Sequence, residues 1–168
     1  MYSWKIDPLK TQLRAGRLPD GEGFRYALAT FATISILGEL ATRLPAPGSD
    51  AENTASVASF VLVLFGTYAA YAANGGPRGT DFLSRLMSLG WVLGVRTFVA
   101  MILTFIVVGI GEALANPAAV ESDSFGSLSS AILTVVFSGV FYWRLSVHMR
   151  DVAAPVPLLA NPGASDAR

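Results

Sequence analysis

Cysteine is absent from the 168 residues, and histidine occurs once, as His148. The first absence excludes disulfides, thiol catalysis and iron–sulfur ligation. The second excludes a multi-histidine metal site. Charge is also scarce: Asp, Glu, Lys and Arg make up 14% of the chain, against about 25% in soluble domains. The 12 basic and 12 acidic residues cancel, so electrostatics give no support to a nucleic-acid partner. What the chain does have is apolar surface. Hydrophobic residues reach 52% and the mean hydropathy is +0.50, a balance that suits a lipid bilayer better than water.

The charge-free runs locate the spans. Residues 53–77 and 124–143 carry no charge, and each reaches the roughly 20 residues a helix needs to cross a bilayer core of about 30 Å. The run 26–38 is shorter, but its apolar character continues past Glu39 to Leu44. The run 97–111 is bounded by Arg96 and Glu112 and reaches back through Trp91 to Leu89. All four are solid apolar runs without the alternation of barrel strands. The expected fold is an all-α polytopic integral membrane protein. Its four transmembrane helices form an up-down-up-down bundle with spans about 24–44, 55–74, 88–114 and 126–147. Residues 1–23 form an N-terminal segment, 24–148 the transmembrane domain and 149–168 a disordered tail rich in proline.

Lys and Arg set the orientation. Lys5, Lys10, Arg14, Arg17, Arg25, Arg78, Arg85, Arg144, Arg150 and Arg168 fall on one side of this topology. The opposite connections carry Asp50, Glu52, Glu121 and Asp123, with Arg43 at one edge. The basic side is cytoplasmic by the positive-inside rule, so both termini are cytoplasmic and the location is the inner (cell) membrane. Trp4, Trp91, Trp143, Tyr26, Tyr71 and Tyr142 fall near the same interface, where amphipathic rings prefer to lie. The first span is too long, and its charged leader too extended, for a cleaved signal peptide.

Short segments flank the core. Asp7 is placed to cap a small helix, Pro8 to open it and Gly16 to stop it. Leu9 and Leu13 share one face of that helix, as do Lys10 and Arg14. It either lies on anionic lipid or is a short solvated helix leading into the first span. Residues 18–21 read as a turn. The connection Asn74-Gly75-Gly76-Pro77-Arg78-Gly79-Thr80-Asp81 lacks the strand and the Gly-Lys-Ser/Thr of a phosphate loop and reads as a tight turn, with Thr80 or Asp81 capping the next helix. From Phe82 to Ala115 a single helix would run about 51 Å. Its start therefore lies along the membrane surface or projects from it, with Gly90 or Gly94 marking any bend.

Intramembrane charges and small residues are the candidates for function. Glu39 and Arg43 are one turn apart and can pair, either lining a polar pocket or anchoring the span end. Arg96 and Glu112 fall on opposite faces of the third span. Glu112 shares a face with Gly94 and so points at a partner helix, while Arg96 meets lipid phosphate or a second partner. Gly66 with Ala70, and Gly90 with Gly94, are spaced for close helix packing. His148, between Arg144 and Arg150, reads as a solvated helix-end residue. No catalytic residue, metal site or cofactor emerges, and the chain is not expected to be an enzyme.

The leading functional expectation is a scaffold or accessory subunit that works through helix–helix contacts. Its partners are the lipid bilayer and another membrane protein or further copies of itself. The alternative is a homo-oligomeric channel or small-solute carrier with Glu39, Arg43, Arg96 and Glu112 near the path. More remote is a lipid-modifying enzyme using Asp81, His148 and the neighbouring arginines.

Overall fold

In a computed structural model of the protein, residues 4–16, 18–41, 50–115 and 127–154 are described. Arg17, Arg43, Glu121, Asp123 and the proline-rich tail from Pro155 onward lie outside the described residues. Five α-helices follow in order: α1 (Ile6–Ala15), α2 (Asp20–Ala41), α3 (Asp50–Ala73), α4 (Phe82–Ala115) and α5 (Ser127–Ala153). A single 3-10 turn, Gly76–Arg78, separates α3 from α4. No strand occurs among the described residues. The all-α expectation therefore stands.

Helix boundaries depart from the expected spans in instructive ways. In α1 the N-cap is Lys5, with no side-chain cap bond, and Asp7 lies within the first turn. Asp7 thus acts on the helix dipole and does not cap as expected. The expected turn at residues 18–21 merges into α2, because the Pro19 carbonyl accepts from Glu22 and Gly23 at 2.8 and 3.1 Å. Asp50, expected in a connection, opens α3, where a carboxylate is favoured by the exposed N–H groups. At the start of α4, Asp81 takes a left-handed φ of 52°, and its carbonyl accepts the Arg85 N–H at 3.0 Å. α4 then runs unbroken for 34 residues through Gly90 and Gly94, so its first turns project beyond the apolar run. α5 continues to Ala153, past the expected end at 147. Residues 149–153 are helical and do not belong to the tail.

Among the described residues, three helices are long and apolar enough to cross a membrane: Asn53–Ala73, Phe82–Ala115 and Leu128–Ala153. α2 is not among them. Its 22 residues include Asp20, Glu22, Arg25 and Glu39, which lower its hydropathy.

The long helices lie in an open row, α2–α4–α5–α3. α3 packs most extensively on α5, α4 on α5 and then on α2. Helices adjacent in sequence, α2 with α3 and α3 with α4, share no comparable interface among the described residues. Within the row, neighbours match level by level. Gly66 of α3 meets Tyr142 of α5, and a Cβ at Gly66 would lie 2.2 Å from the Tyr142 ring. Thr54 and Ala58 line a groove with Ala131 and Val135 near the other end of the same pair, so α3 and α5 run parallel. Gly23 faces Ser84, and Leu37 shares a groove of about 280 Å³ with Gly94 and Phe98, so α2 and α4 are also parallel. Gly94 faces Phe141, while Arg85, near the start of α4, shares a pocket with Arg150 at the end of α5. α4 and α5 are therefore antiparallel.

The buried core is not midway along these helices. It gathers at the end that carries α1, where Ile6, Leu9, Leu13, Leu18 and Tyr26 pack with Ala70, Leu89, Val92, Leu93, Leu145, Met149 and Val152. Leu145, Met149 and Val152 repeat at helical spacing and continue the buried face of α5 beyond its last apolar turn. Away from this end the apolar windows are barely buried, 11% in α3, none in α4 and 11% in α5. Lipid tails are as apolar as leucine and cover such faces without cost. A segment projecting beyond the hydrocarbon must instead build its own core, and α1 supplies the missing layer.

Candidate functional site

Among the described residues, Glu39 and Glu112 of the expected intramembrane charges lie far apart along the row. Leu37 shares its groove with Phe98, so Glu39 comes roughly level with residue 100 of α4, and Glu112 lies about 18 Å further along that helix. Glu39 is exposed and Glu112 half-buried. Arg96 and Glu112 are about 24 Å apart along the axis. Arg43 lies outside the described residues. The small residues fare differently, since they pack within the chain. Gly66 closes on Tyr142, Ala70 is fully buried and Gly94 faces Phe141, whereas Gly90 lines the groove between α2 and α4 with open space around it.

Most of the polar side-chain bonds that join one helix to another gather at the α1 end. Lys10 donates to Asp151 Oδ2 at 2.7 Å, and Arg14 Nε donates to the Asp151 carbonyl at 3.0 Å. The two bases expected on a lipid-facing or solvated surface thus clamp α1 to the last turn of α5. Gln12 donates to Glu22 at 3.0 Å and ties α1 to the start of α2. Arg96 donates to the Trp4 carbonyl and places its guanidinium 5.6 Å from the centre of the Trp4 ring. That geometry adds cation–π attraction of about 0.5–1 kcal/mol at a partly exposed site. Arg96 therefore meets the N-terminal segment.

On the expected span of 126–147, residues 148–153 lie outside the membrane-crossing part of α5, and their ionisation reflects α1. Asp151 is held below the ordinary carboxylate range, chiefly by the hydrogen bond from Lys10. His148 is pushed below its ordinary value, first by burial and then by the Lys10 charge, with Asp151 opposing. Its Nδ1 is 3.8 Å from Asp151 Oδ2 and is buried without a hydrogen bond. The expectation of a solvated helix-end histidine is corrected, because α1 covers it.

The turn between α3 and α4 forms a second polar node. Asn74 is 2% exposed. Its Nδ2 donates to the Thr80 carbonyl at 3.1 Å, and its Oδ1 accepts from Arg85 Nη1 at 2.8 Å. Gly75 and Gly76 take φ of 100° and 55°, which favour glycine. A Cβ on Gly79 would lie 2.2 Å from the Asn74 carbonyl oxygen, so only glycine closes the loop. Sequence reasoning found the turn but not this bracing, because Arg85 reaches back 11 positions. The Lys10, Arg14 and Arg96 contacts span separations of 141, 137 and 92 residues, and no local pattern reports them.

Among the described residues, no group of three or more His, Asp or Glu side chains is placed to hold a metal ion. No protein-family model, curated protein or solved structure matches the chain.

Proposed function

We propose that this chain is a small inner-membrane protein with four spans and both termini in the cytoplasm, acting as a scaffold or accessory subunit through helix–helix contacts. The observation that carries this reading is the open row of helices. Among the described residues the row encloses no lumen, and Glu112 lies about 18 Å along the axis from the level of Glu39. α2 and α3 stand at the edges with one principal partner helix each. Phe31, Ile34 and Ile36 on α2, and Phe60, Leu64 and Phe65 on α3, are exposed and available to lipid or to a neighbouring membrane helix.

α2 belongs in the membrane on this reading. Its length is about 33 Å, enough for a bilayer core, and its exposed aromatic and branched side chains are unfavourable in water. Arg25 and Glu39 then lie about 21 Å apart, each able to reach toward an interface.

The test is the mass and composition of the complex extracted into nanodiscs from its native membrane. A stoichiometric foreign membrane protein is expected. A closed homo-oligomer that conducts ions after reconstitution would overturn the scaffold reading.

A further inference from the structure

A pocket of about 380 Å³ opens at the α1 end of the row, between the α3–α4 turn and the last turn of α5. Its wall holds three arginines from three elements: Arg78 in the turn, Arg85 on α4 and Arg150 on α5. No carboxylate among the described residues lines it. From this convergence we propose that the pocket is a binding site for a phosphate group, supplied by the headgroup of an anionic phospholipid or by free inorganic phosphate.

The site is built and not merely charged. Arg85 is held by Asn74 at 2.8 Å, and Asn74 is buried and tied to the Thr80 carbonyl. That bond uses one of the five guanidinium donors, and the fixed side chain loses less freedom when it binds an anion. Arg78 and Arg150 are exposed at the mouth, where planar guanidinium forks suit phosphate oxygens. The helix ends must be weighed against this. The C-termini of α3 and α5 each bring about half a negative charge and the N-terminus of α4 about half a positive one. Three guanidiniums outweigh that balance. The Gly75–Gly76 and Gly79 geometry fixes the turn, so Arg78 is presented from a rigid loop.

Its position favours a lipid. The pocket lies at the end of α3, where the uncharged run 53–77 gives way to Arg78, and its α5 wall begins about 10 Å past the run 124–143. This is the depth of the headgroups, and basic pockets between helices on the cytoplasmic side hold anionic lipid there. Assignment to a lipid rests on the four-span reading above. The anion site itself rests only on the arginines.

The experiment uses the full chain in two arms. In nanodiscs of phosphatidylcholine with phosphatidylglycerol, native mass spectrometry counts retained lipid; in detergent, inorganic phosphate is titrated by calorimetry. The expected result is preferential retention of phosphatidylglycerol, weakened about 30-fold in the Arg78→Gln/Arg150→Gln double variant, at about fivefold per base. Both residues are exposed, so the double variant keeps the fold, checked by its helicity. Arg144→Gln removes one charge from α5 outside the pocket and weakens retention by about fivefold at most, the general surface attraction of a single base. Phosphate binding lost in the double variant, without lipid preference, supports the site with free phosphate as its source, and holds even if the chain does not enter nanodiscs. Equal retention by wild type and double variant overturns the proposal, as does an equal loss in Arg144→Gln or an absence of binding in both arms.

Discussion

Lys10 on α1 and Asp151 on the last turn of α5 are 141 positions apart in sequence, and their charged atoms are 2.7 Å apart. The contact joins the N-terminal segment to the end of the last helix. It lies at the edge of a hydrophobic seat in which Leu9 is fully buried and Leu13 is 2% exposed. Two kinds of interaction therefore hold α1, and they differ in size. An ion pair with a partly exposed carboxylate contributes up to about 1 kcal/mol, whereas truncating a buried leucine costs about 2–5 kcal/mol.

That difference predicts a ranking of variants. The chain has no cysteine, so a single cysteine in place of Leu13 reports exposure of α1 by its labelling rate. Asp151→Asn should raise that rate by about fivefold or less, because Arg14 still donates to the Asp151 carbonyl. Leu9→Ala should raise it by more than tenfold. Equal effects from the two variants would mean that the ion pair and not the apolar face holds the helix.

Acidification should weaken the same seat in two stages. His148 has its folded-state pKa depressed, mainly by burial and by Lys10. The unfolded or undocked state therefore binds the proton more readily. The stabilisation is full above the ordinary histidine value of about 6.5 and declines as pH falls through the depressed one. Asp151 is likewise depressed by Lys10, so its contribution is lost only below the ordinary carboxylate range. The labelling rate of the Leu13→Cys probe, divided at each pH by the rate of the same variant unfolded in denaturant because only the thiolate reacts, should rise modestly below about pH 6.5 and again in strong acid. His148→Gln should abolish the first rise and keep the second. A first rise that survives in His148→Gln would assign it to another group.

The α3–α5 interface depends on one missing side chain. A Cβ at Gly66 would lie 2.2 to 2.6 Å from three atoms of Tyr142, closer than packing allows. Gly66→Ala should destabilise the pair by about 1–3 kcal/mol, the usual cost of overpacking. Gly90→Ala meets nothing within 4 Å and should be nearly neutral or slightly favourable. Thermal unfolding in detergent micelles reads both. Tyr142→Ala should restore part of the stability lost in Gly66→Ala, and no rescue would place the damage elsewhere.

Much of this architecture was legible in the chain, and the exceptions have a common physical origin. Uncharged runs identified the cores of α3, α4 and α5, because the cost of burying charge in lipid writes itself locally. Helix ends were less legible. The last turns of α5 carry Arg150 and Asp151, which end an apolar run, yet Leu145, Met149 and Val152 keep a helical repeat that α1 covers. The order of the row was not legible either, since short connections suggest that sequence neighbours pack together and here α3 packs on α5. Gly66 and Ala70 were recognised as packing residues, but their partner became known only through Tyr142. The phosphate-like turn read as an ordinary turn because its chemistry comes from Arg85 and Arg150, one of them 72 positions beyond Arg78 in the sequence.

The status of α2 decides the topology, and the N-terminus reports it. Three helices pass as spans on length and composition alone, and α2 does not. If α2 crosses as well, the N-terminus, Gly76 and the C-terminus share the cytoplasm, while Asp50 and Asp123 face outward. If α2 lies along the surface, the N-terminus falls on the side of Asp50. The arginines and lysines favour the first arrangement, because Lys5, Lys10, Arg14 and Arg25 then lie with Arg78, Arg85, Arg144 and Arg150. The contacts of Lys10 and Arg14 with Asp151 favour it too, since they place α1 beside the end of α5. Reporter fusions at the N-terminus, Asp50, Gly76, Asp123 and the C-terminus should therefore read in, out, in, out, in. A cytoplasmic Asp50 beside an N-terminus on the same side would remove α2 from the spans, and an N-terminus opposite the C-terminus would break the α1–α5 clamp.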